Sequence, residues 1–306
     1  MSDCIIHFMK KTLIIGSCTV DITVSIPSLP SSAGSVNSNP HVFNLGGCAY
    51  NVARVLNLLD VPHLHCTTIG SGIYGEFALK ELEKQGIKPF RLADKPHGAC
   101  ICLVENNGER TFIAYHGIEY SFDKSYLDGI CLSDFDSVYV CGIEIEEEGG
   151  DQIISFLEEN RSLKLYFSPG PRLRFIDSKK LDSIFALNPV IHLSQSELFE
   201  ITKLDNFDLA LKRLYERTQN DIIITLGSNG AVVYTGNEKI YKDAFISNVV
   251  DTTGAGDCHI GSYISFIKKG FTKADALQKA NYLAAKVVSH EGPALVKADL
   301  LEECDN

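Results

Sequence analysis

The chain has 306 residues, a formal net charge of −11, ten cysteines, two methionines and no tryptophan. With 45% hydrophobic and 22% charged residues, the composition is that of a globular protein and excludes a disordered or fibrous class. The negative charge argues against a general nucleic-acid-binding protein, because binding phosphates along a strand requires many Lys and Arg side chains. It leaves open a local site for a small anion built from backbone amides.

The N-terminal segment lacks the basic region, long apolar core and cleavage site of a secretory signal. No apolar run reaches the roughly 20 residues that cross a membrane. Met9 directly precedes the first predicted strand, so we interpret residues 1–8 as a dispensable leader. The cysteines form no C-x-x-C pair and several lie in apolar runs, which favours reduced, buried thiols in a cytoplasmic protein.

Short apolar strands alternate with helical patterns along the chain. Strands are predicted at 12–16, 64–69, 137–141, 163–167, 190–193, 221–226 and 231–235. Helices are predicted at 49–59, 75–85, 151–160, 196–203, 207–218, 255–269 and 273–290. Continuous Val/Ile/Leu strands between helices indicate an α/β fold with a mainly parallel central sheet covered on both faces. We expect residues 1–306 to form a single domain.

Two segments depart from this alternation, at 20–45 and 98–118. The second contains Asn106-Asn107-Gly108-Glu109, a strong hairpin signal because Asn and Gly tolerate positive φ. These segments are predicted to form extra strands outside the main sheet, suited to a small lid. The alternative is an ordinary surface hairpin.

The sequence DTTGAGD at 251–257 carries the clearest chemical signal. Gly254, Ala255 and Gly256 precede an apolar-periodic helix, so backbone N–H groups and the helix dipole could meet at one point and bind an anion. Asp257 follows directly, and a carboxylate beside a phosphate site can deprotonate a hydroxyl that attacks a phosphoryl group. The alternative is a tight loop whose Asp only stabilises the helix start.

A second glycine-rich helix start lies about 200 residues earlier, in NLGGCAYNVA at 44–53. Gly46 and Gly47 permit close approach of the backbone to a ligand. Asn51 falls in the first turns of the next helix, where its amide can both donate to and accept from hydroxyl groups. Alone this motif is weak, but together with DTTGAGD it becomes specific.

These two motifs resemble the N-terminal and C-terminal signatures of the ribokinase-like sugar kinases, also called phosphofructokinase B-type carbohydrate kinases. The similarity extends from Met9 over essentially the whole chain. The segment 107–111 resembles the Gly-Glu-Arg part of the family's lid, and 225–230 resembles its nucleotide-side strand and loop. The resemblance implies a three-layer sandwich with a mainly parallel central sheet and a small β-strand lid.

The resemblance also implies roles for individual residues. Asp257 would be the catalytic base, and Gly254, Ala255 and Gly256 the anion hole. The sugar would be bound by Asp21, Gly46, Gly47, Asn51 and Arg110. ATP would be bound by Thr225, Gly227, Gly230 and Asn281. Glu197 would act near Mg²⁺ through water, while Asp251 and Thr253 could offer carbonyl groups to K⁺.

Five positions depart from the family pattern, among them Asp60 and Ser262. Ser194 stands where the family commonly has Asn in an Asn-x-x-Glu motif. Gly72 stands where an Asp is usual, and His259 occupies a position that is often aromatic. These departures affect the expected substrate and efficiency more than the reaction class.

The resulting hypothesis is transfer of the ATP γ-phosphoryl group to a hydroxyl, expected to be a primary one, of a small sugar. A nucleoside kinase of the adenosine or pseudouridine type and a non-catalytic sugar or nucleotide sensor are the alternatives. A nicotinamide-dependent dehydrogenase is disfavoured, because the first strand lacks a G-x-G-x-x-G fingerprint. The expected partners are a small-molecule substrate and, through the lid, a second copy of the chain, with no nucleic acid and no membrane.

Overall fold

The computed structural model describes residues 9–289 together with residues 292 and 295, so the proposed leader at 1–8 lies outside the described residues. The strands are β1 (Lys11–Ile15), β2 (Thr19–Ile26), β3 (Val42–Gly46), β4 (His63–Cys66), β5 (Thr68–Ser71), β6 (Arg91–Pro96), β7 (Ala99–Glu105), β8 (Arg110–Tyr115), β9 (Phe135–Cys141), β10 (Lys164–Ser168), β11 (Val190–Ser194), β12 (Ile222–Thr225), β13 (Ala231–Tyr234) and β14 (Lys239–Lys242). The α-helices are α1 (Cys48–Leu58), α2 (Gly72–Lys84), α3 (Gly142–Glu146), α4 (Gly150–Glu159), α5 (Ser178–Phe185), α6 (Gln195–Thr202), α7 (Phe207–Thr218), α8 (Ala255–Lys268) and α9 (Lys273–Val287). No helix among these residues is long and apolar enough to cross a membrane.

The main sheet has the strand order β14-β13-β12-β11-β10-β9-β1-β4. Six neighbouring strands of this sheet are parallel to one another, namely β4, β1, β9, β10, β11 and β12. The last two strands, β13 and β14, each pair antiparallel with the strand before them. Alternate side chains of one strand enter different cores: Leu13 and Ile15 point to one face and Ile14 to the other. The prediction of a mainly parallel sheet is therefore confirmed.

Helices cover both faces of the main sheet. One core takes side chains from α4, α5, α6 and α7, including Ile153, Phe185, Leu198 and Leu214. The opposite core takes side chains from α1, α8 and α9. The architecture is thus three layers, as expected, and it brings the starts of α1 and α8 to the same side of the sheet.

A separate four-stranded sheet, called here the small sheet, has the order β3-β2-β7-β8. Its strands come from the segments 20–45 and 98–118, which pair through the parallel contact of β2 with β7. Val20, Leu45 and Ala99 on one face pack against Ala78 and Leu82 of α2. The second segment is therefore part of a packed sheet and not an isolated hairpin.

The strand predicted at 64–69 is wrong as a single element. Residues 63–66 form β4 in the main sheet, whereas 68–71 form β5, which pairs with β6 in a two-stranded sheet. A turn closed by the Thr67 N–H and the His65 carbonyl, 3.1 Å apart, separates the two strands. The sequence did not reveal this turn, because residues 64–69 contain no Gly, Pro, Asn, Asp or Ser that would mark it.

Candidate active site

The candidate site lies at the N-terminus of α8. Gly254 precedes the helix in the left-handed region at φ 74°, and no side chain caps the helix. The Ala255 N–H donates to the Thr252 carbonyl at 3.2 Å. The N–H groups of Gly256 and Asp257, in the first turn, have no acceptor within the helix. The anion hole predicted at 254–256 is thus offered mainly by the second and third helical residues.

Asp257 and Asn51 join the two glycine-rich motifs. The Asn51 side-chain amide donates to Oδ2 of Asp257 at 2.8 Å. Burial raises the pKa of Asp257 from 3.8 to about 6, while hydrogen bonds from Asn51 and the Cys48 thiol act in the opposite direction. Asp257 is therefore a half-buried carboxylate that ionises near neutral pH. Cys48 was not predicted as a site residue, although it lies inside the glycine-rich motif at 44–53.

Asp21 lies on β2 and faces the glycine pair that precedes α1. The Thr19 hydroxyl donates to its Oδ1 at 3.2 Å, and burial raises the pKa of Asp21 to about 6. A methyl group on Gly46 would lie 1.9 Å from Oδ2 of Asp21, and Gly47 adopts φ 96°. Gly46 thus leaves the space that this carboxylate occupies, and the positive φ of Gly47 favours glycine at that position.

Arg110 connects the small sheet to the loop before α8. Its guanidinium donates to Oδ1 of Asp251 at 2.9 Å and to the Thr253 hydroxyl. Burial alone would raise the pKa of Asp251, but the hydrogen bonds from Arg110, Thr253 and Gly292 outweigh it and lower the pKa to about 2. The side chains of Asp251 and Thr253, the two residues predicted near K⁺, therefore both bind the Arg110 guanidinium in this structure.

A cavity of about 550 Å³ opens beside the start of α8. Its lining includes the four residues predicted to bind nucleotide, namely Thr225, Gly227, Gly230 and Asn281, together with Ala255 and Gly256 of the anion hole. A methyl group on Gly256 would meet no atom within 4 Å, so the helix end borders open space. The fold thus brings the predicted nucleotide residues and the predicted anion hole to one cavity.

Glu197 takes a local role at the start of α6. Its carboxylate accepts from the Ser194 N–H at 2.7 Å, and the Ser194 hydroxyl accepts from the Glu197 N–H at 3.3 Å. This capping box was readable from the Ser-x-x-Glu spacing. Ser194 pairs in register with Thr225, so the carboxylate lies at the edge of the sheet that carries the cavity. A role near Mg²⁺ stays a prediction.

Glu144, in α3, lies beside the candidate site, and the sequence did not predict a role for it. Its carboxylate accepts from the Ser17 N–H at 2.8 Å and from the Ser17 hydroxyl at 2.9 Å. Burial raises the pKa of Glu144 to about 7. It fixes the chain between β1 and β2, and hence the approach to Asp21. An acidic run at 144–148 gives no signal for such a buried role.

The comparisons with known proteins cover nearly the whole chain. The model of the pfkB family carbohydrate kinases matches residues 9–299. An uncharacterized sugar kinase of Escherichia coli, YegV, is 28% identical over 290 residues, which is 92% of this chain and 90% of the relative. A deoxyribokinase of Salmonella typhi is 25% identical over 290 residues, 91% of this chain and 92% of the relative.

A solved structure extends the comparison to the fold. The crystal structure of a ribokinase from Thermotoga maritima superimposes with a TM-score of 0.85 at 21% identity, covering 98% of this chain and 100% of that chain. At this identity the likeness concerns the fold alone. It confirms the three-layer architecture predicted from the sequence.

Proposed function

Because the chain belongs to the pfkB family of carbohydrate kinases, we propose that it transfers the γ-phosphoryl group of ATP to a hydroxyl, expected to be primary, of a small sugar. One arrangement carries the proposal: the Asp257 carboxylate, bound by Asn51, stands at the uncapped end of α8 beside a cavity of about 550 Å³. Phosphoryl transfer requires a base, an anion site and a nucleotide-sized cavity at one point.

In the proposed reaction Asp257 removes the proton from the acceptor hydroxyl. A bond forms between that oxygen and the γ-phosphorus, while the bond from the γ-phosphorus to the bridging oxygen of ADP breaks. A pKa of about 6 keeps the carboxylate ionised at pH 7 and close to the operating pH, where a general base works best. The N–H groups of Gly256 and Asp257 then stabilise negative charge on the transferred group.

The residues present fit a magnesium ion held mostly by substrate. Among residues 9–289, 292 and 295 the structure shows no group of three or more His, Cys, Asp or Glu side chains that could hold a metal. Magnesium commonly uses one or two carboxylates together with phosphates and water, and Glu197 offers one carboxylate at the sheet edge. When bound, Mg²⁺ would neutralise charge on the ATP phosphates. Carbonyl groups of Asp251 and Thr253 remain our candidates for K⁺.

In this proposal the small sheet acts as a lid over the acceptor. Arg110 fastens it to Asp251 in the loop before α8. Closing the site in this way excludes water, which would otherwise compete with the sugar for the phosphoryl group.

A nucleoside acceptor is the second candidate, favoured by apolar surface on the small sheet. In register, Thr23 pairs with Val42 and with Cys102, and Cys102 pairs with Phe112. Thr23 lies two residues after Asp21 in β2, so Thr23 and the residues paired with it lie on the same face of the sheet as Asp21. Val42 and Phe112 are more than half exposed there, which would suit the flat base of a nucleoside.

The first experiment is an ADP-release assay with free pentoses, hexoses, and purine and pyrimidine nucleosides, on the wild-type protein and on Asp257→Asn. We expect turnover with one of these acceptor groups and a loss of at least about 1,000-fold in kcat in the variant, with ATP binding retained. Near-normal turnover in Asp257→Asn would contradict the assignment of the base. Ligand-induced melting shifts without ADP release across the panel would favour the sensor.

A further inference from the structure

Three buried side chains form a hydrogen-bonded series at the wall of the 550 Å³ cavity, and we call them the histidine chain. They are His192 in β11, His259 in α8 and Asn281 in α9. Nε2 of His192 lies 3.0 Å from Nδ1 of His259, and Nε2 of His259 lies 3.0 Å from Oδ1 of Asn281. All three are at least nine-tenths buried. The proposed mechanism uses neither histidine.

The hydrogen bonds of Asn281 fix the direction of the whole series. Its amide nitrogen donates to the carbonyls of Lys242 at 2.9 Å and Asp243 at 3.0 Å, so Oδ1 must accept. His259 therefore carries its proton on Nε2 and accepts on Nδ1, and His192 donates from Nε2. This arrangement requires a neutral imidazole at His259 and an N–H at Nε2 of His192. Burial lowers the pKa of His192 well below its ordinary value and that of His259 to about 4, in agreement.

The same bonds remove polar atoms from the cavity. His259 and Asn281 both line it, yet both ring nitrogens and all donor and acceptor atoms of the amide are engaged with protein. The hydroxyl of Ser247, also in the lining, donates to the Ala285 carbonyl at 2.8 Å. The segments 244–249 and 284–288 supply an otherwise apolar wall, formed by Ala244, Phe245, Ile246, Val249, Ala284, Ala285 and Val288.

We propose that the histidine chain holds the polar side chains of this wall turned away from the cavity, so that the donor nucleotide is selected by the shape of its base and not by side-chain hydrogen bonds to the base edge. The proposal rests on the proposed function, which places ATP in this cavity. A site that hydrogen-bonds a ligand group rejects an analogue without that group by about 10⁴–10⁵-fold, whereas an apolar pocket discriminates by about 10–200-fold. The two modes of selection therefore differ by a measurable amount.

The test is calorimetric binding of ATP, ITP and purine riboside triphosphate, each with Mg²⁺ and without any acceptor. The three bases share one shape and differ in the group at position 6. We expect dissociation constants within about tenfold of one another. A preference of more than tenfold for ATP over purine riboside triphosphate would overturn the inference and leave the proposed function standing. Absence of binding by all three would contradict the donor site and the proposed function together.

A variant tests the positioning role of the chain. His259→Phe removes the donor to Asn281, so the amide and the carbonyls of Lys242 and Asp243 lose their fixed geometry. We expect a rise of about tenfold or more in KM for ATP, with KM for the acceptor unchanged. His192→Gln keeps an N–H donor for His259 and is expected to retain ATP affinity within a few-fold.

Thr12→Val is the matched control. It removes a buried hydrogen bond to Ser137 at 3.0 Å, in the same sheet and outside the cavity lining. We expect a lower melting temperature and unchanged KM for ATP. If His259→Phe lowers the melting temperature but leaves KM for ATP unchanged, as we expect for Thr12→Val, the positioning role of the histidine chain is wrong. The nucleotide series on the wild-type protein decides the proposal where His259→Phe does not fold.

Discussion

The side-chain amide of Asn51 donates to Oδ2 of Asp257 at 2.8 Å, across 206 residues of sequence. The bond links the first turns of α1 and α8, which both begin after a glycine with positive φ. Neither helix start carries a capping side chain, so no side chain of the cap residue engages the first N–H groups of either helix. The amide stabilises the charged form of Asp257 against the effect of burial. Asn51 is thus a positioning residue for the proposed base.

Asn51→Leu should move the pH dependence of the reaction. Without the amide, burial acts on Asp257 unopposed by this bond, so its pKa rises. We expect the acid limb of the profile of kcat/KM against pH to move to higher pH, and kcat at pH 7 to fall by about 10–100-fold. Tyr50→Phe, which removes a 2.9 Å hydrogen bond to Gln85 from the same helix, is the control and should leave the limb in place. An unmoved limb in Asn51→Leu would contradict the positioning role.

Most of the main sheet was predictable because strands such as β1, β9 and β11 are mostly apolar runs buried on both faces. Each strand predicted at 12–16, 137–141 and 190–193 appears within two residues of its predicted bounds. By contrast, β6 and β14 escaped prediction. All of their side chains are exposed or half-buried, and their sequences carry neither an alternating pattern nor an apolar run.

The glycine motifs were predictable for a different reason, because close backbone approach permits few residue types. The sequence predicted close approach of a ligand to the Gly46 backbone, and the structure shows that the group lying there is the Asp21 carboxylate. Glu144 and His192 were not predictable. Each acquires its role from a partner distant in the sequence, Ser17 for Glu144 and His259 for His192. A single sequence does not show which distant residues come into contact in the folded chain.

Gly256→Ala should separate stability from activity. The added methyl meets no atom within 4 Å, and Ala favours a helix over Gly by about 1 kcal/mol, so the melting temperature should stay the same or rise. The methyl would extend into the cavity at the uncapped end of α8, where the transferred group is proposed to bind. We expect a fall in kcat of about 10–100-fold, measured by ADP release beside thermal unfolding. If the melting temperature falls together with kcat, the loss of activity comes from a destabilised fold and not from the added methyl in the cavity.

Arg110→Met should loosen the small sheet from the loop before α8. The variant keeps the length and apolar stem of the side chain but loses the contacts to Asp251 and Thr253. We expect KM for the acceptor to rise by about tenfold or more, and ADP release without acceptor to increase, because water reaches the site. Arg217→Met, which removes an ion pair with Asp182 on the protein surface, is the matched control and should change neither quantity. Unchanged acceptor KM in Arg110→Met would contradict the proposed closure.

Asp257→Asn should be more stable than the wild-type protein at high pH. Burial raises the pKa of Asp257 from 3.8 to about 6, so the folded protein binds this proton more tightly than the unfolded chain does. The charged carboxylate therefore costs stability above pH 6, and the cost disappears as the pH falls through 6 towards 3.8.

The difference between 3.8 and about 6 corresponds to up to about 3 kcal/mol at pH 8. Asn removes the charge and keeps the shape, so chemical denaturation at pH 8 should show a gain of that order in the free energy of unfolding. At pH 4 the gain should shrink to less than about 1 kcal/mol, because the wild-type carboxyl is then protonated in the folded state. An equal gain at both pH values would show that the effect is packing and not charge, and would contradict a buried, ionised base.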